Sequence, residues 1–190
     1  MKTIGIQGIE GSFSEEAAKS YCQKFGITDF ELEYLVSSMN VLDGLTKKTI
    51  DTGIFAMENA QGGVVIESVE ALSKYRCDII EMFHIPVNQN LLGVAGTNIG
   101  DIMEIHSHQQ ALRQCKDYLS EHFWTRPLIE EDDTAEAARR LSEGKLPKTA
   151  GVIANKACAD LYGLEILQDS IHDLKHNLTL FLGIKNLKDS

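Results

Sequence analysis

The segment HNLTLFLGI, residues 176–184, decides how this chain is organised. Leu178, Leu180 and Leu182 alternate with Asn177, Thr179 and Phe181. A period of two is that of a β-strand, whose successive side chains point to opposite faces. One face therefore carries an amide and a hydroxyl in neighbouring positions. Burying such groups without partners costs about 1–3 kcal/mol each, so a strand that keeps both needs a reason, and the reason must come from earlier in the chain.

Upstream, short apolar segments alternate with helical ones. TIGIQG (3–8), FELEYLVS (30–37) and TGIFAME (52–58) read as strands, with EEAAKSYCQKF (15–25) and MNVLDGLTKK (39–48) as the helices between them. That is the rhythm of a twisted α/β sheet. It resumes further on: IPVNQNLLGVAG (85–96), IMEIHSH (102–108), RPLIEED (126–132), TAGVIAN (149–155) and LEILQDSI (164–171) are strand-like, separated by helical QQALRQCKDYLSEHF (109–123), TAEAARRLSEG (134–144) and KACADLYG (156–163). The pattern predicts two α/β lobes that break near KYRCDIIEMFHI (74–85). The first comprises 1–77 plus 177–190 and the second 78–176, the final strand crossing back to the first. In open α/β sheets ligands sit at strand ends, so polar loops there would line a cleft between the lobes.

A chain of 190 residues with a formal net charge of −10 has no clustered Lys/Arg run. Nucleic acid and anionic membranes are thereby poor partners, because phosphate binding needs such clusters; an anionic small molecule would have to be met by local donors. No apolar run approaches the roughly 20 residues that span a bilayer, and MKTIGIQG lacks the regions of a signal peptide, so a cytoplasmic location is expected. Cys22, Cys77, Cys115 and Cys158 have no paired spacing and read as reduced structural thiols, neither a disulfide framework nor a zinc site.

Three stretches carry chemistry-bearing residues. In GIEGSFSEEAA (8–18), Ser12 and Glu15 have the spacing of a capping box. The helix they open offers backbone N–H groups to an anion, although a capped helix without a ligand fits the same residues. In MENAQGGVV (57–65), a strand runs into Glu58 and Asn59 and then two glycines, which suits a binding loop or a plain turn. In IHSHQQALRQC (105–115), Ser107 or His108 caps a helix whose Gln110 and Gln114 share a face. His106 and His108 fall on one strand face, but two imidazoles without a further ligand seldom bind a metal; no metal is expected. Asp133 or Thr134 would cap the helix in DDTAEAARRL (132–141), and Asn155 closes a strand. Nothing marks a Ser-His-Asp triad or a P-loop.

Taken in order, GIEGSFSEEAA, MENAQGGVV, SHQQALRQC, DTAEAA, GVIANKACADLYGLEIL and NLTLF resemble the prephenate dehydratase family over nearly the whole chain. The resemblance implies a two-lobed, periplasmic-binding-protein-like α/β fold with the active site in the interlobe cleft, and conversion of prephenate to phenylpyruvate, CO2 and water without a cofactor. It implies Thr179 as the catalytic threonine of the family's T-R-F motif, Glu58 and Asn59 as its E-N-S residues, and Gln114 and Ser107 as substrate-binding residues. Ser12 and Thr134 would face the cleft. Thr179 would meet the substrate with Asn177 in support, which answers the question posed by the final strand. The regulatory phenylalanine-binding domain that commonly follows in the family is not expected here, and a homodimer is compatible with the sequence.

Four positions depart from the family pattern. Ala60 replaces a serine, Asp133 stands where serine is common, Gln109 replaces a proline, and Leu180 replaces the arginine of T-R-F. Position 180 lies on the face opposite Thr179, so an arginine there would anchor an ion pair rather than share the threonine's contact. Two rivals stay open: a non-aromatising prephenate decarboxylase, which loses CO2 and keeps the hydroxyl, and a catalytically silent small-anion-binding protein. Prephenate and arogenate are not distinguished by any motif.

Overall fold

The alternation of strands and helices is built as two sheets in the computed structural model, which describes residues 1–187. The chain divides at 86/87 and again at 177/178 into two compact units. Residues 188–190 of the expected first lobe lie outside the described residues.

The first unit holds strands β1 (Lys2–Ile6), β2 (Phe30–Tyr34), β3 (Thr52–Asn59), the two-residue β4 (Gly63–Val64) and β5 (Asp78–Pro86), together with the final strand β11 (Leu178–Lys185). The sheet order is β2-β1-β3-β11-β5, with β4 attached to β3. β1 runs parallel to β2 and β3, whereas β11 is antiparallel to both of its neighbours. Its insertion between β3 and β5 gives hydrogen-bond partners to both of its edges, which a strand placed at the rim would lack.

Alternation fills both faces of this sheet. Ile4, Ile6, Ile54 and Phe181 pack against Ala17, Ala18 and Tyr21 of α1 (Phe13–Lys24). On the other face Phe55, Leu182 and Ile184 pack against Val41, Leu42 and Leu45 of α2 (Ser38–Thr46) and Ala71 of α3 (Ile66–Lys74). Thr179, two residues from Phe181, thus shares the α1 side. The strand Asp78–Pro86 belongs to this sheet, so the division falls nine residues later than the expected start of the second lobe at 78. The pairing of β5 along the whole of β11, invisible to local pattern, accounts for the difference.

The second unit contains β6 (Asn90–Gly93), β7 (Glu104–Ser107), β8 (Leu128–Glu130), β9 (Ala150–Ala154) and β10 (Glu165–Gln168) in the order β10-β6-β9-β7-β8. Its helices are α4 (Gln109–Gln114), α5 (Lys116–His122), α6 (Thr134–Ser142) and α7 (Lys156–Tyr162). The helix expected over 109–123 is interrupted at Cys115, whose φ/ψ of −115°/21° leave the helical region. There the Cys115 side chain is buried with Ile105, Leu112, Leu119 and Phe123. α7 ends on Gly163 at φ 65°, a left-handed position that glycine occupies without steric cost. Among the described residues no helix is long and apolar enough to cross a membrane.

Candidate active site

The C-terminal end of β3 and the N-terminal end of β11 meet in antiparallel register, with Asn59 directly opposite Thr179. Asn59 Nδ2 donates to Thr179 Oγ1 at 2.9 Å, and both side chains are buried. The asparagine is itself fixed by the turn that follows it. Its Oδ1 accepts from Gln61 N–H at 3.0 Å and Gly62 N–H at 2.8 Å, and its Nδ2 also reaches Leu178 O at 3.4 Å. This is an Asx turn, in which the side chain stands in for backbone. Because the amide is the donor toward Thr179, the contact uses an oxygen lone pair and leaves the hydroxyl proton available to a further acceptor.

Also on the α1 side, Ser12 caps α1. Its Oγ accepts from Glu15 N–H, while the Glu15 carboxylate accepts from Gly11 N–H at 2.6 Å and pairs with Lys19. The reciprocal capping expected from the S-x-x-E spacing is therefore present, shifted by one residue at its return contact. Gly8, at φ 129°, comes so close that a Cβ there would lie 2.6 Å from Ser12 Oγ. Glycine is thus required for the loop to pass the capping hydroxyl.

Glu58 does not join this group. It pairs across the ladder with Leu180, one residue out of phase with Asn59 and Thr179, and its side chain is exposed on the opposite face. Leu180 in turn lies between Glu58 and His84 of β5. Asn177, expected to support Thr179, precedes β11, and its Nδ2 donates to Val87 O at 3.3 Å. Thr179 Oγ1 accepts from Asn59.

In the second unit the expected residues are divided as well. Ser107 is fully buried, and its hydroxyl donates to Ile153 O at 2.6 Å, tying β7 to β9. Gln114 is buried too; its Oε1 accepts from Gln89 Nε2 at 2.9 Å and its carbonyl from Asp173 N–H. Burial pushes the neighbouring Cys115 thiol far above its ordinary range, with Asp173 adding to the effect. Thr134 opens α6, but the amide groups there are already held: the Asp133 carboxylate accepts from Ala135 N–H at 2.7 Å and Glu136 N–H at 3.3 Å. Of the two caps expected for this helix, Asp133 is the one used, and it sets a carboxylate at the helix terminus. His108, rather than Ser107, caps α4, through Nδ1 to Gln110 N–H.

His106 is separate from His108. Buried in β7, it faces Glu131 through Nδ1 at 2.8 Å and Glu104 through Nε2 at 3.0 Å, and Arg140 pairs with Glu131. Each ring nitrogen has a carboxylate partner, so the imidazole is a structural tie. Among the described residues no group of three or more His, Cys, Asp or Glu side chains is placed to hold a metal ion. Gln89 escaped the sequence reading. It is buried against Gln114, and its Oε1 has no hydrogen-bond partner. The signal was the run Asn88-Gln89-Asn90 inside an otherwise apolar strand.

The family model described as prephenate dehydratase matches residues 4–189. The chain is 36% identical over 183 residues to arogenate dehydratase/prephenate dehydratase 1 of Arabidopsis thaliana, covering 94% of this chain and 44% of that protein. It is 30% identical over 176 residues to the prephenate dehydratase of Methanocaldococcus jannaschii, covering 92% and 61%. The chain thus spans about half the length of these relatives. Among solved structures, a prephenate dehydratase from Arthrobacter aurescens in complex with L-Phe superposes with a TM-score of 0.89 at 24% identity, covering 98% of this chain and 60% of that one. A methionine-bound nutrient binding protein from Burkholderia cenocepacia superposes at 0.53 with 13% identity, covering 97% and 85%. These two likenesses are of fold, and they agree with the two-unit, periplasmic-binding-protein-like architecture.

Proposed function

This chain belongs to the prephenate dehydratase family, and we propose that it carries out the decarboxylating dehydration of prephenate to phenylpyruvate, with Thr179 as the group that meets the departing hydroxyl. The observation that carries the reading is the direction of one hydrogen bond. Asn59 donates to Thr179 Oγ1, so the threonine proton is aimed elsewhere.

Prephenate holds its own driving force. As the ring carboxylate leaves as CO2, the electron pair of the broken C–C bond enters the ring, the double bonds shift, and the ring C–O bond breaks with its pair on oxygen. The ring becomes aromatic, and one proton completes the water. A threonine hydroxyl is too weak an acid to surrender its proton outright. It acts by donating a hydrogen bond to the oxygen as charge develops there, and solvent supplies the proton that makes water. Donors fixed in advance toward developing charge are worth about 10²–10³ in rate, and Asn59 fixes this one.

The remaining assignments follow the local chemistry. Asn59 is a positioning residue, because it acts through Thr179. Ser12 shapes the loop on the same side of the sheet. Gln114 and the Thr134 hydroxyl stay in the proposal as substrate-binding groups. Ser107, its proton committed to Ile153 O, holds β7 in place. Glu58 faces away from Thr179 and is assigned no contact with the reacting atoms.

The test is product identity. Purified protein incubated with prephenate should yield phenylpyruvate, seen by its ultraviolet absorption in alkali, together with one CO2 per turnover. CO2 release with a product that retains the hydroxyl would point to a non-aromatising decarboxylase, and tight binding without turnover to a binding protein; either result overturns the reading. Arogenate, which carries an amine in place of the keto group, should be tried alongside, since the same bond changes would give phenylalanine.

A further inference from the structure

We propose that the second unit carries a pocket for a small aromatic carboxylate, formed by α4, α5, the turn after α5 and the edge strand β8. The hollow measures about 460 Å³, within the range of ligand sites. All of its lining comes from residues 109–130, so it is independent of Thr179 and of the dehydratase reading.

Its floor is apolar. Leu112 on α4, Leu119 on α5 and Phe123 just after α5 expose a little surface there while packing into the unit's core. Trp124 adds an aromatic wall that is 80% exposed, a costly placement for the largest apolar side chain in the chain. Leu128 on β8 is exposed beside it.

The rim is cationic. Arg113, Lys116 and Arg126 line the hollow in a chain whose net charge is −10. Neither Lys116 nor Arg126 has an ion-pair partner among the described residues. The carboxylate on the lining, Glu130, accepts from Gln109 Nε2 at 3.0 Å. An occupant matching these groups has a planar apolar body for Trp124 and Phe123 and a single anionic head for the rim. Cationic side chains on an otherwise acidic surface select against the neutral analogue of such a molecule.

Trp124 is the chain's only tryptophan, so its emission reports on this pocket directly. Titration with 3-phenylpropionate, exciting where a phenyl ring does not absorb, should give a saturable change, accompanied by a shift of the Trp124 indole N–H resonance. Lys116→Gln combined with Arg126→Gln should weaken the binding at least about tenfold, a loss near 1.4 kcal/mol, without altering the melting temperature or the turnover of prephenate. The proposal is overturned by any of four results: no saturable change in either signal; equal binding of 3-phenylpropanamide, which shows that charge is not read; equal binding of acetate, which shows that the ring is not read; or a concentration-dependent dimer that buries Trp124. If the double variant unfolds, the comparison of carboxylate with amide on the native chain decides the matter alone.

Discussion

Asn59 and Thr179 stand 120 residues apart in sequence and 2.9 Å apart in space, with the asparagine amide donating to the threonine hydroxyl. The relationship exists because β11 returns to the first unit and pairs with the end of β3. It fixes the oxygen and leaves its proton to serve another acceptor.

Replacing the donor by an acceptor reverses that arrangement. In Asn59→Asp the two N–H contacts from Gln61 and Gly62 are retained by the carboxylate, but Thr179 must now donate to Asp. Turnover of prephenate should fall about 100-fold, and stability should fall by about 1–3 kcal/mol, because the donor to the Leu178 carbonyl is lost with the amide. Steady-state rates and a melting curve on the same preparation check this; unchanged turnover would deny Asn59 its orienting role.

Leu180 lies opposite Glu58 across one ladder and His84 across the other. Leu180→Arg places a cation beside an exposed carboxylate and should stabilise the fold by about 0.2–1 kcal/mol. Leu180→Glu should destabilise it by a similar amount. Urea unfolding measures both, and high salt should shrink the gap between the two variants.

Asp133 caps α6 and places a negative charge at its N-terminus. Asp133→Ala should lose about 0.5–2 kcal/mol of stability. Asp133→Ser keeps a capping oxygen and removes the charge, so stability should stay within about 0.5 kcal/mol of wild type while KM for the dianionic substrate falls and kcat holds. Urea titrations and initial rates at varied prephenate separate these effects.

Burial, assisted by Asp173, holds the Cys115 thiol protonated far into alkali in the folded chain. An unfolded thiol ionises near about 8.5. A raised folded value means that this stability is fully present below the unfolded value and is lost as pH rises above it, at up to about 1.4 kcal/mol per pH unit. Burial also raises Cys22, Cys77, Tyr21 and Tyr118, so wild type should weaken steadily in alkali. Cys115→Ala should flatten that decline in urea titrations across alkaline pH; an unaltered slope would show the thiol to be accessible.

Local pattern carried the architecture because alternation and capping are short-range. The period of two in HNLTLFLGI and the Ser12–Glu15 spacing both translated directly into structure. What the sequence could not convey depended on tertiary partners. The strand Asp78–Pro86 looked like a boundary because its pairing partner lies about a hundred residues further on. Asn59 reaches Thr179 through the sheet from 120 residues away, which no local pattern conveys. At α6 the sequence offered Asp133 and Thr134 as alternative caps, and the fold settles on the Asp133 carboxylate. The break at Cys115 is set by packing into the core and has no local marker.

The role given to the Thr179 hydroxyl is tested most directly by its isosteric loss. Thr179→Val keeps the volume and the strand preference of the side chain, and Thr179→Ser keeps the hydroxyl. Measured side by side for kcat on prephenate, valine should lower the rate at least about 100-fold, and serine should retain most of it. A valine enzyme that forms phenylpyruvate at the unmutated rate would contradict the account.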